Sequence, residues 1–453
     1  MGVGLAIIFF FAVSSGDLFL DRSESDLLSI VSTALNQLRI FVYPIPENIF
    51  RCSGAFKPTL QKSFNMELML PKYMKRSVVF SNDPESADLF LIDHEWICLR
   101  VNDEPPRYSS NRKSYTGEAI AKSHMLPIFE SIINNYPYYN RSQGRDHILI
   151  FLLDNGPFCG SGHIQPYMEV VHHILTLMKN CIIVGNNGFN GQNRLLIHSD
   201  TRVSKPEPHE KISCHRTGQD IVIPQPINTE YVLNPTYAKN RKAVTFFSGS
   251  TTNGMDCSPN IRRKLDLFHN HLFSSDPGME SVHLWRTGSP SNSIFALCPA
   301  GNACWSARLY HALAHGTIPV ILADPIILPF ERFINWSSFS VKYITNPNPH
   351  EDEISNETYG YVPPTLNQSL ITLTPLFNQL RYIASQHNRS DFIKNKQENI
   401  KTINPWLTFH SNSSEKRSAY SLLVAELWCK TKKGSHHRAC RRTVSTVAYK
   451  SYF

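Results

Sequence analysis

Residues 293–341 read SIFALCPAGNACWSARLYHALAHGTIPVILADPIILPFERFINWSSFSV, and their pattern of apolar runs, glycines and prolines decides the fold. Ile294 to Cys298 is a short apolar run stopped by Pro299 and Gly301, as in a buried strand that runs into a turn. From Ala303 to His315 the apolar residues Trp305, Leu309, Ala312 and Leu313 recur at helical spacing. Gly316 stands where a helix takes its C-terminal glycine. Thr317 to Leu322 is a β-branched apolar run, suited to a second buried parallel strand. Strand, glycine turn, helix and strand make a βαβ unit whose helix begins at the carboxyl end of its sheet. That end is where open α/β sheets bind ligands.

A helix start offers N–H groups without intrahelical partners and about +0.5 of a charge, both suited to a phosphate. Ser306 and Arg308 fall in the first turns, so a hydroxyl and a guanidinium can join those amides. The planar fork of an arginine matches the paired oxygens of a diphosphate. The unit has neither the GxGxxG of a dinucleotide site nor the GxxxxGK[ST] of a P-loop. On its residues alone it is either an anion site or an ordinary structural βαβ with a surface arginine.

The run Leu297-Cys298-Pro299-x-Gly301, Ser306-x-Arg308-Leu309, Ala312-Leu313, Gly316-x-Ile318-Pro319-Val320-Ile321, Leu328-Pro329-Phe330, Trp336 and Phe339-Ser340-Val341 resembles the exostosin-type glycosyltransferases. That family includes the heparan-sulfate polymerases and many plant cell-wall glycosyltransferases. The resemblance implies that this segment holds a nucleotide-sugar donor. It also implies an acidic residue for the donor ribose at the position where this chain has His311, which can hydrogen-bond a hydroxyl but lacks the charge of a carboxylate.

At 453 residues the chain suits two domains, and its composition is that of a globular protein. The net charge of +8 is modest and scattered except at the C-terminus, which argues against nucleic acid as a partner. Ten cysteines without a CxxC pair disfavour metal clusters and allow disulfides in a secretory compartment. The run Cys429…His436-His437…Cys440 is open to a metal site, a disulfide or a solvated tail. At the N-terminus, Val3 to Val13 is continuously apolar. It is shorter than the ~20 residues of a membrane span and fits a signal-peptide core or a shortened signal-anchor.

Further matches to the family lie along the chain. Arg39 to Tyr43 reads as a first strand, and residues 83–93, DPESADLFLID, run a helical start into the strand Leu89 to Ile92. Residues 138–157 carry Gly144-Arg145-Asp146-His147, then the strand Ile148 to Leu153, with Asp154 at its carboxyl end. Asp154 is the candidate base, whereas Arg145, Asp146 and His147 read as a structural network. His215 to Pro224 resembles the family's entry to an interdomain linker. The second domain opens with the strand Ala243 to Phe247, followed by Ser248-Gly249-Ser250, where the family contacts the donor diphosphate. Arg262 begins the next helix and reads either as a phosphate ligand or as a solvated charge.

The expected fold is α/β, with two Rossmann-like domains facing a cleft (the glycosyltransferase B-type fold). The expected divisions are 1–16 signal peptide or signal-anchor, 17–37 partly helical stem, 38–235 N-terminal acceptor domain, 236–430 C-terminal donor-binding domain with return helices, and 431–453 basic tail. The resemblance implies a UDP-sugar donor, a glycan or glycoprotein acceptor and inversion at the anomeric carbon, and it allows a complex with another glycosyltransferase. Asp154 and Arg308 are the candidate catalytic residues. Gly249, Ser250, Arg262, Gly301, Ser306, Arg308, His311 and Asp324 are the candidate donor ligands. No Asp-x-Asp occurs, so neither a metal nor another cofactor is expected. The N-terminal run and the resemblance imply a Golgi-lumenal type II membrane protein, or a secreted one. The competing reading is a non-catalytic relative that binds glycans or a partner transferase.

Overall fold

The computed structural model describes residues 23–47, 49, 66–95, 121–152, 157, 169–186, 188, 215–226, 241–250, 260–275, 282–284, 289–301, 305–323, 326–345, 365–385, 391–409 and 416–441. The apolar run Val3 to Val13 lies outside them, as do Asp154 and Asp324. Among the described residues, no helix is long and apolar enough to cross a membrane.

The described strands form two parallel sheets of five. In the first, β1 (Ile40–Val42), β2 (Leu89–Leu91), β3 (His147–Phe151), β4 (Ile182–Gly185) and β5 (Ile221–Val222) lie side by side in chain order. Its register pairs Phe41 with Phe90, Phe90 with His147, and Leu149 with Ile183. Helices α1 (Glu24–Gln37), α2 (Met66–Arg76), α3 (Leu126–Asn135), α4 (Tyr138–Ser142) and α5 (Glu169–Met178) belong to this half. At the amino end of β3, His147 Nδ1 lies 2.7 Å from Asp146 Oδ1, and its Nε2 lies 2.9 Å from the Tyr43 hydroxyl. Asp146 and His147 thus knit a turn to a strand, far from the carboxyl ends.

The second sheet contains β6 (Ala243–Phe247), β7 (Val282–Leu284), β8 (Ser293–Pro299), β9 (Ile318–Leu322) and β10 (Val341–Lys342), in the order β10-β9-β8-β6-β7. With it go α6 (Ile261–Ser275), α7 (Ala307–Ala314), α8 (Leu366–Ser385), α9 (Asp391–Ile403), α10 (Ala419–Cys429) and α11 (Lys432–Ser435). The chain leaves β6 toward β7 on one side and then builds β8, β9 and β10 on the other. This doubly wound order reverses between β6 and β8, and a crevice opens at such a switch point. Every residue of β8 and β9 is buried, as expected for central parallel strands covered on both faces.

The central βαβ unit forms, with one shift. Its helix starts at Ala307 rather than Ala303, and Ser306, in extended conformation, is the N-cap. Arg308 is therefore the second residue of the helix. Gly316 adopts φ +62°, the left-handed conformation that ends helices and that glycine reaches without strain.

Residues 24–37, read above as part of a partly helical stem, form the amphipathic helix α1, which packs into the body of the protein. A reciprocal cap between Ser23 and Asp26 starts it, and Leu27, Ile30, Val31 and Ala34 are buried where it packs on α10. The physical reason is the fully buried α10, which needs apolar cover on every side. Residues 431–441, grouped above with a basic tail, are also folded. The Cys429–Cys440 disulfide turns them back onto the body, and Lys433 pairs with Asp88 at 2.8 Å. That bond also removes both thiols from any metal site. The terminal helices reach the first half, where the Tyr420 hydroxyl donates to Ser77 Oγ at 2.8 Å and Lys430 Nζ to the Gly218 carbonyl at 2.6 Å.

Candidate active site

The carboxyl ends of β6 and β8 flank the switch point, and two arginines converge there. Arg308 Nε donates to the Ser248 carbonyl at 2.6 Å, and its guanidinium lies 5.2 Å from the centre of the Phe247 ring. Its Nη1 stands 3.5 Å from Ser306 Oγ, a hydroxyl that makes no capping bond to α7. Gly249 has no left-handed φ, so its use is space: the Arg308 guanidinium occupies the volume a Cβ would fill.

Arg262, near the start of α6, is only 3 % exposed. Its Nε donates to the Ala300 carbonyl at 2.8 Å and its Nη1 to the Ser250 carbonyl at 3.3 Å. Burial rules out the solvated helix charge allowed by the sequence. Burial and then the neighbouring Arg308 push the Arg262 pKa down to about 10, so both groups stay cationic at neutral pH. Among the described residues neither arginine meets a carboxylate. Two like charges, held by backbone carbonyls, a hydroxyl and an aromatic face and partly dehydrated, have no counter-ion among the described residues.

The other candidates take different places. Ser306 is buried beside Arg308, whereas His311 lies one turn further along α7. His311 is exposed overall, yet its ring is dehydrated enough, and near enough to Arg308, for its pKa to fall below the usual imidazole value. The Gly301 N–H is engaged by the Trp305 carbonyl at 3.3 Å, so this amide serves its own turn. Ser250 contributes its carbonyl to Arg262.

The Exostosin GT47 domain model matches residues 34–355. The chain belongs to the exostosin GT47 family. It is similar to a probable glucuronosyltransferase of Oryza sativa subsp. japonica, with 26% identity over 325 residues that cover 71% of this chain and 70% of that protein. A probable beta-1,4-xylosyltransferase, IRX10L of Arabidopsis thaliana, is also 26% identical over 325 residues, covering 71% of each. Among solved structures, Anabaena Alr3699/HepE in complex with UDP aligns at TM-score 0.31 and 11% identity, over 81% of this chain and 94% of that one. This exostosin-family chain is a glycosyltransferase.

The exostosin-family chain also brings together groups that its sequence reading passed over. Asn186, just past β4, and Val222 of β5 face Trp305, Ser306 and the strap Ile326–Pro329 across an interdomain pocket. The Ile327 N–H donates to the Gly188 carbonyl at 2.8 Å and so ties the strap to the first half. At the carboxyl end of the first sheet, Glu67 of α2 accepts the Leu152 N–H at 3.3 Å and lies 3.9 Å from His94 Nδ1. His124 Nε2 is 2.7 Å from the His94 carbonyl. Burial, and then His124, push the His94 pKa down to about 3, which keeps that imidazole neutral. The clue for His94 was its position just past the strand. For Glu67 there was none, because only the fold carries α2 to that end.

Proposed function

We propose that this exostosin-family enzyme transfers a sugar from a UDP-sugar to a glycan or glycoprotein acceptor, with inversion and without a metal ion. The observation that carries this is the pair Arg262–Arg308 at the switch point of the second sheet, the first buried and the second half-buried, with no carboxylate beside either among the described residues. A diphosphate supplies the missing negative charge, and two prearranged guanidiniums stabilise it most as the glycosidic bond breaks and charge builds on the leaving UDP. A base takes the proton of the acceptor hydroxyl while its oxygen attacks the anomeric carbon from the opposite face. Asp154 is our candidate for that base. It follows by two residues Leu152, whose N–H is held by the buried Glu67 at the cleft end of the first sheet. The Cys429–Cys440 disulfide and the N-terminal apolar run support an oxidising, secretory setting, with the enzyme in the Golgi lumen as a type II membrane protein or secreted.

Calorimetry with UDP in EDTA-containing buffer tests the donor site. Binding that Arg308→Ala weakens supports it. Absence of UDP binding by correctly folded protein favours the non-catalytic relative, and binding that requires manganese refutes metal independence.

A further inference from the structure

The interdomain pocket contains polar groups that the fold itself does not satisfy. Asn186 is 3 % exposed, and among the described residues neither its amide oxygen nor its amide nitrogen has a hydrogen-bond partner. The Trp305 indole N–H, on the same lining, is likewise buried without an acceptor among the described residues. Buried polar atoms are nearly always paired, and exceptions concentrate where a ligand or water supplies the missing partner. Asn186 comes from the first half and Trp305 from the second, so whatever pairs with both bridges the cleft. The pocket adjoins the two-arginine site directly, since Ser306 lines it and its hydroxyl stands 3.5 Å from Arg308 Nη1.

The chemistry of the lining is narrow. The cavity measures about 10 Å³, enough for one hydroxyl or one water. A carboxamide both donates and accepts, whereas an indole donates only, a set suited to one uncharged hydroxyl. The remaining walls are mostly apolar, among them Val222, Leu309 and Ile321. Among the described lining residues none is cationic. A carboxylate placed here would lose its hydration and meet no cationic side chain on the described lining.

Resting on the donor-site reading above, we propose that this pocket receives one hydroxyl of the transferred sugar and that the donor is therefore a UDP-activated neutral pentose or hexose, not a uronic acid. Asn186 is the first-half group that reads this hydroxyl. Similarity alone does not choose, because the relatives are named both as xylosyl- and as glucuronosyltransferases.

The test is competition calorimetry on the purified full chain with UDP, UDP-xylose, UDP-glucose, UDP-galactose and UDP-glucuronate. At least one neutral sugar nucleotide should bind about 10-fold tighter than UDP-glucuronate. Asn186→Ala should weaken that sugar nucleotide by about 10-fold, the effect of losing uncharged hydrogen bonds, and leave UDP affinity unchanged. An unchanged melting curve for Asn186→Ala shows that the pocket, not the fold, is altered. If the protein binds UDP but takes UDP-glucuronate as well as or better than every neutral donor, the inference is overturned while the donor site stands. Equal weakening of UDP and the sugar nucleotide by Asn186→Ala also overturns it. Failure of the wild type to bind UDP removes the donor-site reading and this inference together.

Discussion

Gly249→Ala isolates the role of Arg308 without touching any charge. A Cβ built on Gly249 stands 2.9 Å from Arg308 Cζ and 3.1 Å from a Phe247 ring carbon, and closer still to Arg308 Nη2. Ordinary contact begins near 3.4 Å, so Cζ must retreat by at least 3.4 less 2.9, or 0.5 Å. The retreat pulls Nε from the Ser248 carbonyl and swings the guanidinium off the Phe247 ring. Misplacement on the ångström scale costs about 10²-fold in catalysis, and that is the loss of kcat/KM expected here. The fold should tolerate the change with a melting shift of no more than about 4 °C, because the yielding atoms end a flexible side chain. The assay is release of UDP from the responsive sugar nucleotide, measured for Gly249→Ala, Arg308→Ala and the double variant. If the methyl group acts through the arginine, the double variant is no worse than Arg308→Ala alone. Wild-type turnover in Gly249→Ala, or full additivity in the double variant, refutes the reasoning.

Arg308→Ala itself should lower turnover by roughly 10²–10³-fold, the scale for losing one prearranged group that stabilises developing charge; unchanged turnover removes that role. Asp154→Asn should keep UDP affinity and abolish transfer, and persistent transfer places the base elsewhere. Stability should decline as pH falls below 6.5. Burial pushes His94 down to about 3 and His215 to about 4, so across that window the unfolded chain binds protons that the native state does not. Between pH 6.5 and 5 this amounts to about 2 kcal/mol per histidine. Melting temperatures that hold steady or rise on acidification to pH 5 would contradict it.

Much of the second half was written locally. Apolar runs of strand length, a helical spacing between them and a glycine at position 316 specify the βαβ unit, since each depends on only a few neighbouring residues. The same economy fixed the N-cap poorly: Trp305 continues the helical spacing, yet the helix waits until Ala307. Arg262 was undecided in sequence because a basic residue early in a helix looks alike whether buried or solvated. Glu67 was illegible, as its encounter with His94 requires α2 to lie against the ends of β2 and β3.

Local patterns were enough for the central βαβ unit, the parallel α/β class and the family, because periodicity, turn chemistry and motif spacing are properties of short stretches. Tertiary structure alone decided that β8 returns beside β6 rather than beyond β7, which strands two arginines at one crevice and Asn186 across from Trp305. Strand order and the burial of unpaired polar groups arise from how distant surfaces pack, and no local pattern carries that information.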